Sequence, residues 1–164
     1  MQDLAKKMKD AQQGGQEEEN QVNEQELRMI LKNLIKSSFD QEKVLLDIKN
    51  TNQDSPNFVK LGQKQREIKD NLKTVEDSLY SLSKKVPQIQ STVNKEIQTI
   101  NLHINSALEQ ITELKIAEAN RSQQFALTSI NNLALMLSEA LQQLQNAMKN
   151  AKSGGKGGKP KPGL

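Results

Sequence analysis

The chain has 164 residues, of which 26% are charged, 34% hydrophobic and only 2% aromatic, with no cysteine. That length suffices for one domain with a real core, while the scarcity of aromatic and β-branched side chains argues against a sheet protein and the missing thiols exclude a disulfide framework or a thiolate site. The formal charge of +3 is concentrated in Lys149, Lys152, Lys156, Lys159 and Lys161; with these set aside, acidic residues outnumber basic ones by two, so the body is near neutral and the basicity lies in a tail.

Residues 1–12 are helix-prone, and Leu4, Ala5 and Met8 open in mid-pattern, as the last turns of a preceding helix would. Met1-Gln2-Asp3 leads into charged residues with no apolar stretch, so no secretory signal is expected. Gly14-Gly15 and the acidic run from Gln16 to Asn20 predict a break and a polar linker, making 1–20 a helix remnant plus linker. Asn23 with Glu26 three residues on predicts a capped helix start. The first long helix, 23–49, then carries Leu27, Ile30, Leu31, Leu34, Ile35, Leu45 and Ile48, with Ser38 and Gln41 where apolar residues are due.

Asn50 to Ser55 is a turn cluster, and Ser55-Pro56 suits a helix start, since proline at the first helical position has the right φ and lacks an N–H that would be unpaired there. The second segment, 56–84, steps 4-3-4-3 through Leu61, Gln65, Ile68, Leu72, Val75, Leu79 and Leu82 to Val86. Such steps keep side chains on one helix face to be buried against other helices. Gln65 is the one polar gap, so Gln65→Leu is expected to be neutral or stabilising. Pro87 is compatible with a tight reversal or a sharp kink, because in a helix interior it would cost about 3 kcal/mol.

The stripe resumes in 87–115 at Val93, Ile97, Ile100, Ile104, Ala107, Ile111 and Leu114, and in 120–150 at Ile130, Leu133, Leu137, Leu141, Leu144 and Met148. The four segments match in length at roughly 40–46 Å, which favours the reversal and an antiparallel bundle. The fourth is apolar over more than one narrow stripe and is expected to face two neighbours. Its longest unbroken apolar run, Leu133 to Leu137, is far short of the roughly 20 residues that span a bilayer. The Gly/Lys/Pro tail, 152–164, is expected to be disordered. The predicted fold is therefore all-α: an antiparallel, coiled-coil-like bundle over 21–151 between two disordered tails.

Chemistry is sparse. His103, the only histidine, has no ligand-type residue at helical spacing and reads as structural. Glu17-Glu18-Glu19 lacks the spacing of a calcium loop and reads as a solvated linker. Tyr80, on the shoulder of the Leu79/Leu82 stripe, reads as packing. The glycines cluster in tails, so no phosphate loop is indicated, and no catalytic, cofactor or metal residue is assigned. The lysine tail has no arginine and no aromatic for base stacking, so composition favours a solubilising role over contact with nucleic acid or lipid headgroups.

Several phrases carry a resemblance: Ile30-Leu31-Lys32-Asn33-Leu34-Ile35 with Ser38-Phe39-Asp40-Gln41-Glu42, then Glu76-Asp77-Ser78-Leu79, Leu82-Ser83-Lys84-Lys85-Val86-Pro87-Gln88-Ile89, and the stretch from Thr128 to Leu141. Over residues 1–150 the chain resembles the C-terminal helical region of a large, membrane-anchored protein family of Bacteroidetes, a domain of unknown function. The resemblance implies a piece of a larger cell-envelope protein whose membrane segments lie elsewhere in the parent, with protein partners at the envelope. It brings no catalytic residues. The expected function is a non-catalytic structural or interaction module; the alternative is an anion-binding adaptor that docks its lysine tail on lipid or nucleic acid.

Overall fold

The computed structural model describes residues 2–89 and 91–157. They form four helices, α1 Gln2–Asn50, α2 Pro56–Ser83, α3 Thr92–Thr112 and α4 Ile116–Gly157, with no strand among the described residues. Each helix lies against its neighbours in the ring α1–α2–α3–α4, and α2 touches α3 least. Two side-chain contacts set the direction of α4 against α1: Gln145 donates to Glu24, and Ser38 donates to Asn131. As the α1 number rises the α4 number falls, so the pair is antiparallel. Gln41 with Gln65, and Glu76 with Asn101, each lie similarly far on either side of the turn between their helices, so α1/α2 and α2/α3 are antiparallel too.

The 4-3-4-3 stripes are the core. Leu61, Gln65, Ile68, Leu72, Val75, Leu79 and Leu82 are all buried along α2, and their counterparts from Val93 to Ile111 along α3. Leu34, Leu72, Val75, Ile97, Ile100 and Leu133, drawn from all four helices, close around a void of about 10 Å³, smaller than a water molecule needs. Phe58 and Ile111, far apart in a kinked rod, line one groove at the same end of the bundle.

The first connection follows its turn chemistry. Asn52 Oδ1 accepts from the Asp54 amide, and Ser55 Oγ caps α2 by accepting from Asn57 N at 3.2 Å. Pro87 marks a reversal, but α3 starts at Thr92, five residues later than the sequence suggests. The intervening Val86 and Ile89 turn inward and are buried, so the stripe continues in sequence although the helix has ended; these two side chains close the bundle end.

The α3–α4 connection is shorter than expected, and α4 starts at Ile116 rather than 120. Lys115 N donates to Gln110 O at 2.8 Å and Leu114 N to Ile111 O at 3.1 Å, the paired bonds of a Schellman stop. Leu114 occupies the left-handed position with φ of 60°, where glycine is usual. No glycine marks this turn in the sequence, which is why the helix boundaries 115 and 120 were misplaced.

The largest departure is at the N-terminus. Gly14-Gly15 do not break α1, which is continuous from Gln2, and Asn23 is not a cap but a buried mid-helix residue, 3% exposed. Helical glycine costs up to about 1 kcal/mol relative to alanine, a penalty that continuous hydrogen bonding and pairing with α4 can offset. The nearby surroundings of Gly15 are open. At the other end α4 runs to Gly157, so residues 152–157 of the expected disordered tail are helical; residues 158–164 lie outside the described residues. Among the side chains that the structure describes, buried positions run from Asn23 and Leu27 on α1 to Leu144 on α4.

Candidate functional site

The least bundle-like part of the core is a layer of three glutamines, Gln41 on α1, Gln65 on α2 and Gln123 on α4, each 0% exposed. Gln41 and Gln65 exchange reciprocal amide bonds, Nε2 to Oε1, at 3.0 and 2.7 Å. Gln123 Nε2 donates to Gln65 Oε1 at 2.9 Å, leaving its own Oε1 without a protein partner. Gln65 is the hub, using both ends of its amide. The two polar gaps visible in the sequence, Gln41 and Gln65, are thus one structural feature; the third member, Gln123, lies outside the stripe that starts at Ile130 and gave no signal. Sealed from solvent and largely satisfied internally, the layer suits a role in register rather than chemistry.

An open groove of about 550 Å³ runs between α1 and α4 near Glu24, Arg28 and Gln145. Arg28 pairs with Glu24 at 2.7 Å, and Gln145 Nε2 donates to the same carboxylate at 3.1 Å. The Gln145 hydrogen bond first, then the Arg28 bond, holds the Glu24 carboxyl below its ordinary range. Among the described residues only the Gln145–Glu24 bond crosses the groove; Arg28, one turn along α1, holds the same carboxylate.

The residues singled out in the sequence do not converge. His103 on α3 is half-buried with its ring centroid 5.1 Å from that of Phe125 on α4. Tyr80 is not packed in the stripe but exposed, with Lys84 Nζ 4.5 Å from its ring centroid, a cation–π contact one turn on. Glu17, Glu18 and Glu19 are exposed on α1, and no group of three His, Cys, Asp or Glu positioned for a metal is found among the described residues.

What the bundle does present is an unusual outside. Of four aromatic residues only Phe58 is buried; Phe39, at 67% exposure, Tyr80 and Phe125 face solvent. Ile35, Phe39 and Leu46 share one outward line on α1, and Leu135, 62% exposed, stands on α4 opposite its buried Leu133/Leu137 face. The Ser38–Asn131 contact joins the two helices at this level. Between Arg121 and Lys149, α4 has a single charge, Glu139, and its solvent face is mostly Gln, Asn, Ser and Thr. The sequence reading placed Ile35 in the core stripe; the structure turns it outward. No helix among the described residues is long and apolar enough to cross a membrane. Searches against protein-family models, curated proteins and solved structures find no match to this chain.

Proposed function

We propose that this chain is a non-catalytic helical module that holds or bridges other proteins, within a larger protein of the cell envelope. The observation that carries the reading is the outer α1/α4 face, where large apolar side chains stand exposed beside a helix nearly free of charge. Interface centres are distinguished by such charge depletion and by aromatic residues, and contiguous exposed apolar surface is uncommon on monomers without a binding role. The polar groups offer little for turnover: the amide layer is sealed in the core, and in the α1/α4 groove Glu24 is already paired with Arg28 and Gln145. Placement at the envelope rests on the family resemblance carried by the motifs from Ile30 to Leu141.

The test compares three forms of the chain for binding to the envelope fraction: intact, lacking the residues after Met148, and carrying Leu133→Asp, which puts a charge in the core where Leu133 is buried. Binding that survives the truncation and is lost with Leu133→Asp is the expected result. Binding that depends only on the lysine tail and falls steeply with salt would replace this reading with the anion-binding adaptor.

A further inference from the structure

Helix α1 carries two seams. The inner one, through Leu27, Ile30, Leu34, Gln41 and Ile48, is buried in the bundle. The outer one steps four-three-four-three-four through Arg28, Lys32, Ile35, Phe39, Glu42 and Leu46, and all of these side chains are exposed. That spacing sets side chains on one face for packing against another helix, yet no helix of this chain covers them. The order of the outer line matches itself when reversed. About residue 37, Ile35 mirrors Phe39, Lys32 mirrors Glu42 and Arg28 mirrors Leu46. Neither Lys32 nor Glu42 is held in an ion pair among the described residues, while Arg28 pairs with Glu24 at 2.7 Å. On one flank Lys36 and Lys43, with Lys64, are balanced in the α1/α2 groove by Asp40, Asp47 and Glu67, so that flank selects nothing by charge. The other flank, Leu31, Ser38 and Leu45, is uncharged.

We propose, resting on the interaction-module reading above, that the outer line of α1 is a contact between two copies of this chain, paired antiparallel about a two-fold axis at residue 37. An interface across a two-fold axis must be self-complementary, and the mirrored order supplies that. Ile35 and Phe39 of one copy lie against Phe39 and Ile35 of the other. Lys32 and Glu42 meet as two unlike-charge pairs on either side of this apolar centre. Beyond them the methylene stem of Arg28 lies on Leu46, with its guanidinium still on Glu24. Parallel pairing would set Lys32 against Lys32 and Glu42 against Glu42, a repulsive arrangement. An anionic lipid surface is disfavoured by Glu42 within the line and by the acid-balanced flank. Six side chains a copy, against the roughly 20–30 of a standard interface, make the contact a weak and reversible one.

Sedimentation equilibrium of the intact chain, over about 10 µM to 1 mM, is expected to show a monomer–dimer equilibrium. Phe39→Ala touches two contacts per dimer at about tenfold each, so a roughly hundredfold weaker dimer is expected. Lys32→Glu alone and Glu42→Lys alone set like charges opposite each other and are expected to abolish the dimer. An equal mixture of those two variants restores unlike pairs in both places, as does the double variant, and both are expected to dimerise again. All of these positions are exposed, so the melting midpoint in dilute solution is expected to stay unchanged. A chain that remains monomeric, a dimer that survives Phe39→Ala, or a mixture no more associated than either single variant overturns the proposal. So does a monomer whose binding to phosphatidylserine vesicles or to the envelope fraction is lost with Phe39→Ala, which gives the line to lipid or to another protein. A monomer whose envelope binding is lost with Leu133→Asp but untouched by Phe39→Ala refutes the self-pairing and leaves the interaction module standing. A dimer with the expected charge dependence but no envelope binding supports the pairing and removes that broader reading.

Discussion

Replacing Gln65 by leucine tests the amide layer directly, and the structure reverses the sign expected from the heptad stripe. By stripe alone the substitution fills a polar gap and gains about 1–2 kcal/mol of apolar burial. In the folded chain it removes all three hydrogen bonds of the layer, because Gln65 is the hub of each. The amides of Gln41 and Gln123 would then be fully buried with nothing to pair with. A stranded buried polar group costs about 1–3 kcal/mol, so two stranded side chains offset or outweigh the apolar gain, for a net destabilisation of up to about 5 kcal/mol. Replacing Gln41, Gln65 and Gln123 together by leucine strands nothing, and is expected to restore or exceed the original stability. Urea unfolding followed by far-UV circular dichroism reads both differences as shifts in midpoint at constant slope. If Gln65→Leu alone raises the midpoint, the layer is not a closed hydrogen-bonded unit and the argument from its geometry fails.

Leu137, fully buried on α4, is expected to lose about 2–5 kcal/mol on Leu137→Ala, and an unchanged urea midpoint would contradict its place in the core. Leu114→Gly should stabilise by about 0.5–1 kcal/mol, the relief of a left-handed leucine less the added freedom of glycine in the unfolded chain; a lower melting temperature would indicate that the leucine side chain matters more at that turn than its backbone strain. Glu24 has a lowered carboxyl pKa in the fold, so the stability it contributes is complete above the ordinary carboxylate range, about 4.3, and is lost as pH falls through the lower folded value. Glu24→Gln should therefore flatten the acid limb of the stability–pH curve, and an identical limb in the two proteins would refute the coupling to Gln145 and Arg28.

The fold was legible because apolar periodicity is the strongest secondary-structure signal, and here it is nearly unbroken through Leu61–Val86 and Val93–Ile111. Pro87 could be assigned to a reversal from matched segment lengths. The errors came where a local signal competed with helix continuation. Gly14-Gly15 and Asn23 look like a break and a cap, yet single-residue preferences of about 1 kcal/mol are overridden when backbone bonding continues. Val86 and Ile89 kept the spacing of a helix while plugging its end, and Leu114 took a backbone conformation that sequence assigns to glycine. The outer face was hidden for a different reason. Ile35 fits the core stripe as well as an outward line, and only the positions of α2 and α4 around α1 decide which side it shows.

The beginning of α1 and the end of α4 lie at the same end of the bundle, next to the Glu24–Gln145 contact and away from the α1–α2 turn. A pull applied through both would not slide the helices along their seams, which would shear many side-chain contacts at once. It would peel α1 from α4 from that end, breaking contacts in sequence: first the Glu24–Gln145 bond, then the layers around Leu27 and Leu144, and later the Ser38–Asn131 contact. A bundle loaded this way yields by unzipping at low force. Tension carried through both ends of the chain thus meets a module that opens progressively, and not a rigid strut.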